Sequence, residues 1–346
     1  MKPRMAIPTV IYNSVDMKEI LNDRLEAFSY VDEASGSSDT ISITLENADK
    51  KWLNEWFPEK GDKIMAYINK LNWEKQDENQ GLYCGSFMVD DFDFSGRPLT
   101  VNIKGISSPR DEGFASTKRS KVWEKTNLKG IANEIASRSG ISLTYDADDI
   151  PIKVIEQNEQ VDSDFLKKLC DKYGLAMKTY ANKIVIYDIA KYDKKDAIIT
   201  IDESEMIDWS FKSTITGTYT GGKMQYTDAK TNKEYVVTVG DSKRLLEVNE
   251  KADSLEDARK QIVSKVNTAN REEKTMSITI MAKDGVVATS NVAITGLGKA
   301  DGKYSIDKVT HDLGSNYTMK LELKEIGGNI DGTKFSISEN RKSKRS

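Results

Sequence analysis

The sequence predicts a mainly β protein, an α+β chain in which two related antiparallel β-barrels flank a small α/β insert. Three observations carry this. Apolar and polar residues alternate over long stretches at both ends of the chain. The period becomes helical in the middle. The two alternating stretches also repeat one another's motifs in the same order.

At 346 residues the chain has room for two or three domains, at roughly 150 residues each. Apolar residues make up 38% and charged residues 31%, the balance of a soluble globular protein. The formal charge of −4 offers no basic excess for nucleic acid or an acidic membrane. Cys84 and Cys170 form no CxxC pair and no metal-ligand spacing, so they read as reduced thiols packed as small hydrophobes. Met1 to Val10 lacks an apolar signal region, and no apolar run approaches the roughly 20 residues that span a bilayer. Synthesis in the cytoplasm without a membrane anchor is the expectation.

The first barrel is expected over residues 1–112. In Thr40-Ile41-Ser42-Ile43-Thr44-Leu45 the apolar residues line one strand face, and Lys63 to Ile68, Leu82 to Phe94 and Leu99 to Ile106 read as further strands. Gly36, Gly61 and Gly96-Arg97-Pro98 mark turns. Asp49 to Trp56 reads as one helical turn stopped before Pro58.

The α/β insert is expected over residues 113–196. Leu128, Ile131, Ala132 and Ile135 recur at helical spacing, with Gly140 placed for a C-terminal cap. A second helix follows Ser163, with Phe165, Leu166, Leu169 and Tyr173 on one side and Gly174 ending it. Ile141 to Tyr145 and Ile184 to Tyr187 are short strands, and Lys118-Arg119-Ser120-Lys121 reads as a linker face at the entry.

The second barrel is expected over residues 197–326, with one helix and a hairpin insertion. Trp209 to Tyr219 and Gly222 to Val239 read as strands, with Lys230-Thr231-Asn232-Lys233 a hairpin tip. The glycines from Gly217 to Gly222 fit a hairpin better than a phosphate cradle, because no helix follows them. A helix runs from Leu255 to Ala269, with Ser254 as N-cap, Asp257 completing a capping-box-like pair, and Ala258, Ile262, Val266 and Ala269 as its apolar stripe. Residues 327–346, ending in Arg341-Lys342-Ser343-Lys344-Arg345, read as a flexible basic tail.

The repeat is the most informative feature. Thr40 to Leu45 matches Thr275-Met276-Ser277-Ile278-Thr279-Ile280. Gly85, Phe87, Val89, Asp90 and Phe92 match Gly302, Tyr304, Ile306, Asp307 and Val309 in one register. Leu99 to Ile103 matches Tyr317 to Leu321. The Gly-to-Thr step is 15 residues in the first copy (100 − 85) and 16 in the second (318 − 302). The glycine starts the strand, the apolar positions face a core, and the aspartate sits on the opposite face. Three copies of a two-barrel chain can close a ring of six similar barrels.

On these residues the chain resembles the phage late control D protein family, the baseplate hub proteins of phage tails, tailocins and contractile injection systems. The N-terminal part of the valine-glycine repeat spike proteins is a relative of that family. The resemblance covers roughly residues 5 to 326. Tyr30-Val31-Asp32, Ser38 to Ile43, Pro58-x-x-Gly61-Asp62 and the Gly85 motif carry it first. Gln160 to Leu169, Lys172-Tyr173-Gly174 and Gly302 to His311 carry it further on. It implies a homotrimeric ring that adapts a hexameric tail tube to a trimeric spike, with the insert on the outside and no chemistry. The implied partners are the chain itself, the tail tube protein, the spike protein, other baseplate proteins and the tape-measure protein, within a virion or particle tail. The chain ends soon after the second barrel, so any spike, peptidase or wall-hydrolase domain is expected on separate chains.

The rival readings are a particle-associated cell-wall hydrolase and a carbohydrate-binding module. A hydrolase would need His311, the only histidine, beside a partner group. It falls at an expected turn before Asp312 and Gly314. Asp90 and Asp91 are adjacent on a strand and point to opposite faces, while Asp148-Asp149 sits in a turn-prone loop before Pro151. Trp52, Trp56 and Trp73 are the candidates for a sugar platform, and helix or loop packing explains them equally well. No catalytic, cofactor-binding or metal residue is therefore assigned, no cofactor is expected, and the sequence names no assembly-interface residue.

Overall fold

The computed structural model describes residues 2–107, 113–180, 182–227 and 233–339. The tip residues Lys230, Thr231 and Asn232 and the basic run Arg341 to Arg345 lie outside the described residues.

The first half contains β1 (Met5–Tyr12), β2 (Val15–Asp16), helix α1 (Lys18–Arg24), β3 (Leu25–Glu33), β4 (Thr40–Glu46), β5 (Lys63–Leu71), β6 (Asn79–Ser95) and β7 (Thr100–Ile106). Its strands lie in the order β3-β4-β7-β6-β5-β1. Alternation places Ile41, Ile43 and Leu45 of β4, and Ile64, Ala66 and Ile68 of β5, in one core. Helix α1 packs against β1, β3 and β4 with Leu21 buried.

The insert follows: α2 (Gly113–Ser116), β8 (Lys118–Asn127), α3 (Leu128–Arg138), β9 (Ser142–Asp146), β10 (Pro151–Val161), α4 (Asp162–Lys172), β11 (Leu175–Tyr180), β12 (Lys183–Asp188) and α5 (Ile189–Asp193). β8 and β10 form an antiparallel ribbon, while β12 lies between antiparallel β11 and parallel β9. The Asn127 side chain caps α3, accepting from the Gly130 N–H at 2.6 Å, so the helix turns Leu128, Ile131, Ala132 and Ile135 into the insert's own core. Lys118 to Lys121 is thus paired strand rather than a linker face, because β10 supplies its hydrogen-bonding partner.

The remainder comprises β13 (Ala197–Asp202), β14 (Met206–Ser213), β15 (Gly221–Thr227), β16 (Glu234–Gly240), β17 (Leu245–Val248), α6 (Leu255–Asn270), β18 (Lys274–Met281), β19 (Asn291–Thr295), β20 (Gly302–Leu313), β21 (Tyr317–Glu325) and β22 (Phe335–Glu339). β14-β18-β21-β20-β19-β13 continues the large sheet. β14 stops at Ser213, short of the expected Tyr219, and Gly221-Gly222 opens β15. Strands β15, β16 and β17, inserted between β14 and β18, join β22 from beyond β21 in a separate sheet, β17-β15-β16-β22, under α6. The Ser254 hydroxyl accepts from the Asp257 N–H at 3.1 Å, while the Asp257 carboxylate accepts from Asp253 N–H at 2.8 Å.

Three expectations change here. Neither half is a closed barrel: both belong to one continuous 13-stranded sheet, in which β3 of the first half pairs with β20 of the second. In the first half β1 and β3 do not pair, and α1 touches both. The sheet is not wholly antiparallel either, since β13 runs parallel to β19. The third change concerns residues 327–339, part of the expected flexible tail. Val236 to Val239 of β16 pair with Phe335 to Ser338 there, which anchors this segment as an edge strand.

Candidate assembly interface

The two halves share more than strand order. β4 pairs Ile43 with Ile103 and Leu45 with Val101; β18 pairs Ile278 with Leu321 and Ile280 with Met319. Ala66 faces Gly85 in one half, and Ile294 faces Gly302 in the other. Two irregularities are shared by the copies, although β6 also skips Cys84 against β5, β13 skips Ile198 against β19, and β1–β5 is antiparallel where β13–β19 is parallel. Asp90 is the extra residue between the pairs Val89–Gly105 and Asp91–Lys104. Asp307 is the extra residue between Ile306–Leu323 and Lys308–Glu322. A second matched bulge falls at Glu26 in β3 and Ile207 in β14. A bulge puts two residues against one and re-aims everything beyond it.

That geometry explains the repeat residues. Phe87, Val89, Tyr304, Ile306 and Val309 are buried and Phe92 is half-buried. Gly302 begins β20 as expected, but Gly85 lies inside β6, whose pairing with β5 already starts at Asn79. It also revises one expectation. Asp90 and Asp91 do not simply alternate across the strand: Asp90 is itself the bulge residue, and both are exposed.

The junction between the halves is the pairing of Lys308–Leu313 with Glu33–Phe28, in reverse direction. On its core side Phe28, Tyr30, Val309, His311 and Leu313 are buried, and the rings of Tyr30 and His311 stack at 5.4 Å. Trp73 locks the halves together from β5's side, its indole N–H donating to the Ala282 carbonyl at 2.7 Å. On the same face, next to Val309, the insert contributes Lys178. Its ammonium meets both Asp32 and Asp39, at 3.0 Å from Asp39, while the Ala288 N–H donates to Asp32 at 2.8 Å. One buried polar cluster therefore joins the first half, the insert and the second half. Burial, with the Asp32 charge beside it, raises the Asp39 carboxyl to about 6, against the pull of Lys178. Tyr187 and Tyr180 of the insert add hydroxyl bonds to the carbonyls of Ala34 and Tyr83.

His311 lies inside β20, not at a turn, because the strand runs on to Leu313. Its Nδ1 is 2.8 Å from the Tyr317 hydroxyl, and burial pushes its pKa down to about 4. A sealed, neutral imidazole between two tyrosine rings packs the junction. Asp149 accepts from the Asn127 side chain at 2.7 Å beside the α3 cap. Trp52 and Trp73 are buried, and Trp56 packs edge-on against Trp52 at 5.7 Å, so these indoles form no open platform. Cys84 and Cys170 are buried free thiols, both raised by desolvation.

Sequence reasoning missed the Lys178 cluster and the junction strands. Tyr30 and Asp32 stood in a recognised motif, but nothing in the spacing ties them to Lys178, which arrives from another sheet.

Comparison with known proteins agrees with this architecture. A probable baseplate hub protein of Escherichia phage 186 is 24% identical over 288 residues, covering 81% of this chain and 71% of the relative. Among solved structures, the 43 kDa tail protein of prophage MuSo2 from Shewanella oneidensis has 12% identity and a TM-score of 0.69. That alignment covers 95% of this chain and 99% of the other. A tail protein from Neisseria meningitidis MC58 has 11% identity, a TM-score of 0.70, and coverage of 92% and 96%. An E. coli component of the type VI secretion system has 10% identity, a TM-score of 0.56, and coverage of 90% and 76%. The hub-like fold read from the sequence is thus found in phage tail and secretion-system proteins. A family model described as YQBQ-like matches residues 116–324, more than half of the chain, and the chain belongs to that family.

Proposed function

We propose that this chain is a structural baseplate hub of a phage tail or tailocin-like contractile particle. Three copies form a ring that adapts the hexameric tail tube to a trimeric spike, without chemistry of its own. One observation carries the reading: two halves of one chain share strand order, the register of their central pairs, and the bulges at Asp90 and Asp307 and at Glu26 and Ile207. Such a chain offers two near-equivalent units per protomer, so three protomers offer six, the match a sixfold tube requires. The likeness to a phage hub protein and to tail proteins supports it. The burial of His311, with the Tyr317 hydroxyl at its ring nitrogen, supports a structural role over a hydrolytic one.

Deleting the gene from a particle-producing host tests the reading. The expected outcome is loss of assembled tails, restored in trans by both the wild-type chain and His311→Phe. Normal tails without the chain would overturn it, and tails restored only by chains retaining His311 would point to the hydrolase.

A further inference from the structure

The bulge-by-bulge equivalence of the halves gives the in-chain junction a counterpart whose two strands are both left open. β20 after its bulge, Lys308 to Leu313, corresponds to Asp91 to Gly96 in the first half. β3 after its bulge, Phe28 to Glu33, corresponds to Trp209 to Thr214. Among the described residues, Asp91–Ser95 of β6 pairs only with β7, and β14 pairs only with β18. An unpaired strand edge is a template for another chain.

We propose that β6 of one protomer pairs antiparallel with β14 of the next, in the register of the β20–β3 junction. This deepens the ring reading above and rests on it. Carrying the in-chain register across sets Phe94 opposite Phe211, Asp93 opposite Lys212, and Ser95 opposite Ser210. The Phe94–Phe211 pair takes the place of His311 and Tyr30, which are stacked and buried inside the chain. Asp93 meets Lys212 as an opposite-charge cross-strand pair on the outer face, the arrangement that stabilises neighbouring strands.

Burial distinguishes the open edges from the filled one. Phe28 is 1% exposed at the junction, while its counterpart Trp209 is 43% exposed. Val309 and His311 are buried, whereas Phe92 and Phe94 are half-buried, touched from one side by the Phe57 ring. Ile207, the bulged residue of β14, is 59% exposed. An aromatic edge with matched charge suits a second copy of this chain as occupant. The contact is head-to-tail, because β6 and β14 are different surfaces, and such contacts generate rings when the rotation closes.

Mixing a Ser95→Cys chain with a Ser210→Cys chain under mild oxidation tests the register, with the native thiols of Cys84 and Cys170 buried. A disulfide-linked dimer in the mixture, absent from either variant alone, is the expected result. Lys212→Glu should weaken self-association about tenfold by facing Asp93 with a like charge, and adding Asp93→Lys should restore it. If light scattering gives a trimer while the mixture stays uncross-linked and the charge swap has no effect, this pairing is overturned and the ring reading stands. A protein that remains monomeric at high concentration overturns both.

Discussion

Asp90 and Asp307 are the unpaired bulge residues of the two halves, each displaced from its ladder at the same step of the same strand pair. Beyond Asp307 the inward positions are Val309, His311 and Leu313. Deleting Asp307 slips these by one and turns Lys308, Thr310 and Asp312 toward the core. We expect that deletion to abolish folding, read as loss of soluble protein or of a cooperative urea transition. Asp307→Asn, which keeps the bulge and loses only a half-exposed pair with Lys324 at 3.1 Å, should cost less than about 1 kcal/mol.

Among the described residues, Lys178 is the cation that pairs with two buried carboxylates, Asp32 and Asp39. Removing it strands their charge. Lys178→Met should destabilise by about 3 kcal/mol in equilibrium denaturation, and combining it with Asp32→Asn and Asp39→Asn should recover most of that loss. An unchanged midpoint for Lys178→Met would mean the cluster does not hold the three parts together.

Acid should weaken the junction through His311. Its folded pKa, lowered to about 4 by burial, lies below the ordinary histidine value near 6.5. The unfolded chain therefore binds the proton first, and stability falls as pH drops from about 6.5 through 4, by at most about 3 kcal/mol. Asp39 works in the opposite sense: its pKa is raised, so its protonation on acidification, through about 6, favours the folded state. The readout is thus the difference between wild type and His311→Phe in denaturation at several pH values. The variant should lose less stability on acidification.

Gly222 faces α6 at close quarters. A Cβ there would lie 2.6 Å from Cγ2 of Ile262 and 2.9 Å from Cγ2 of Val266. Gly222→Ala should push the helix off β15 and lower stability by about 1–3 kcal/mol, measured by thermal unfolding. Gly217→Ala, where the added Cβ meets no atom within 4 Å, bears only the cost of its positive φ.

Much of the sheet was legible because alternation reports directly on which side of a strand is wet. Ser42 and Ser277 were aligned from sequence, and their pairing partners Lys104 and Glu322 are equivalent in the fold. Even the one-residue difference in the Gly-to-Thr step has a place. With the bulges matched, the extra residue falls in the turn, where Arg97-Pro98 is answered by Gly314-Ser315-Asn316. Bulges themselves were invisible, since a pattern of periodicity two cannot say which residue is skipped; hence the simple alternation wrongly expected of Asp90 and Asp91. Closure was over-read, because alternation within strands does not record which strands pair, and β1 and β3 do not. The strand Phe335–Glu339 hid in a polar, glycine-rich context, where its partner β16, not its own composition, fixes it. At the candidate interface, the apolar residues of β14 were visible, but their exposure was not.

In the proposed assembly, three copies with two similar halves make one sixfold-like ring. Electron micrographs of the purified chain, averaged without imposed symmetry and paired with its mass in solution, test it most directly. A closed ring of three chains with six similar lobes is the predicted image; a lone two-lobed particle, or a symmetric pair, would contradict it.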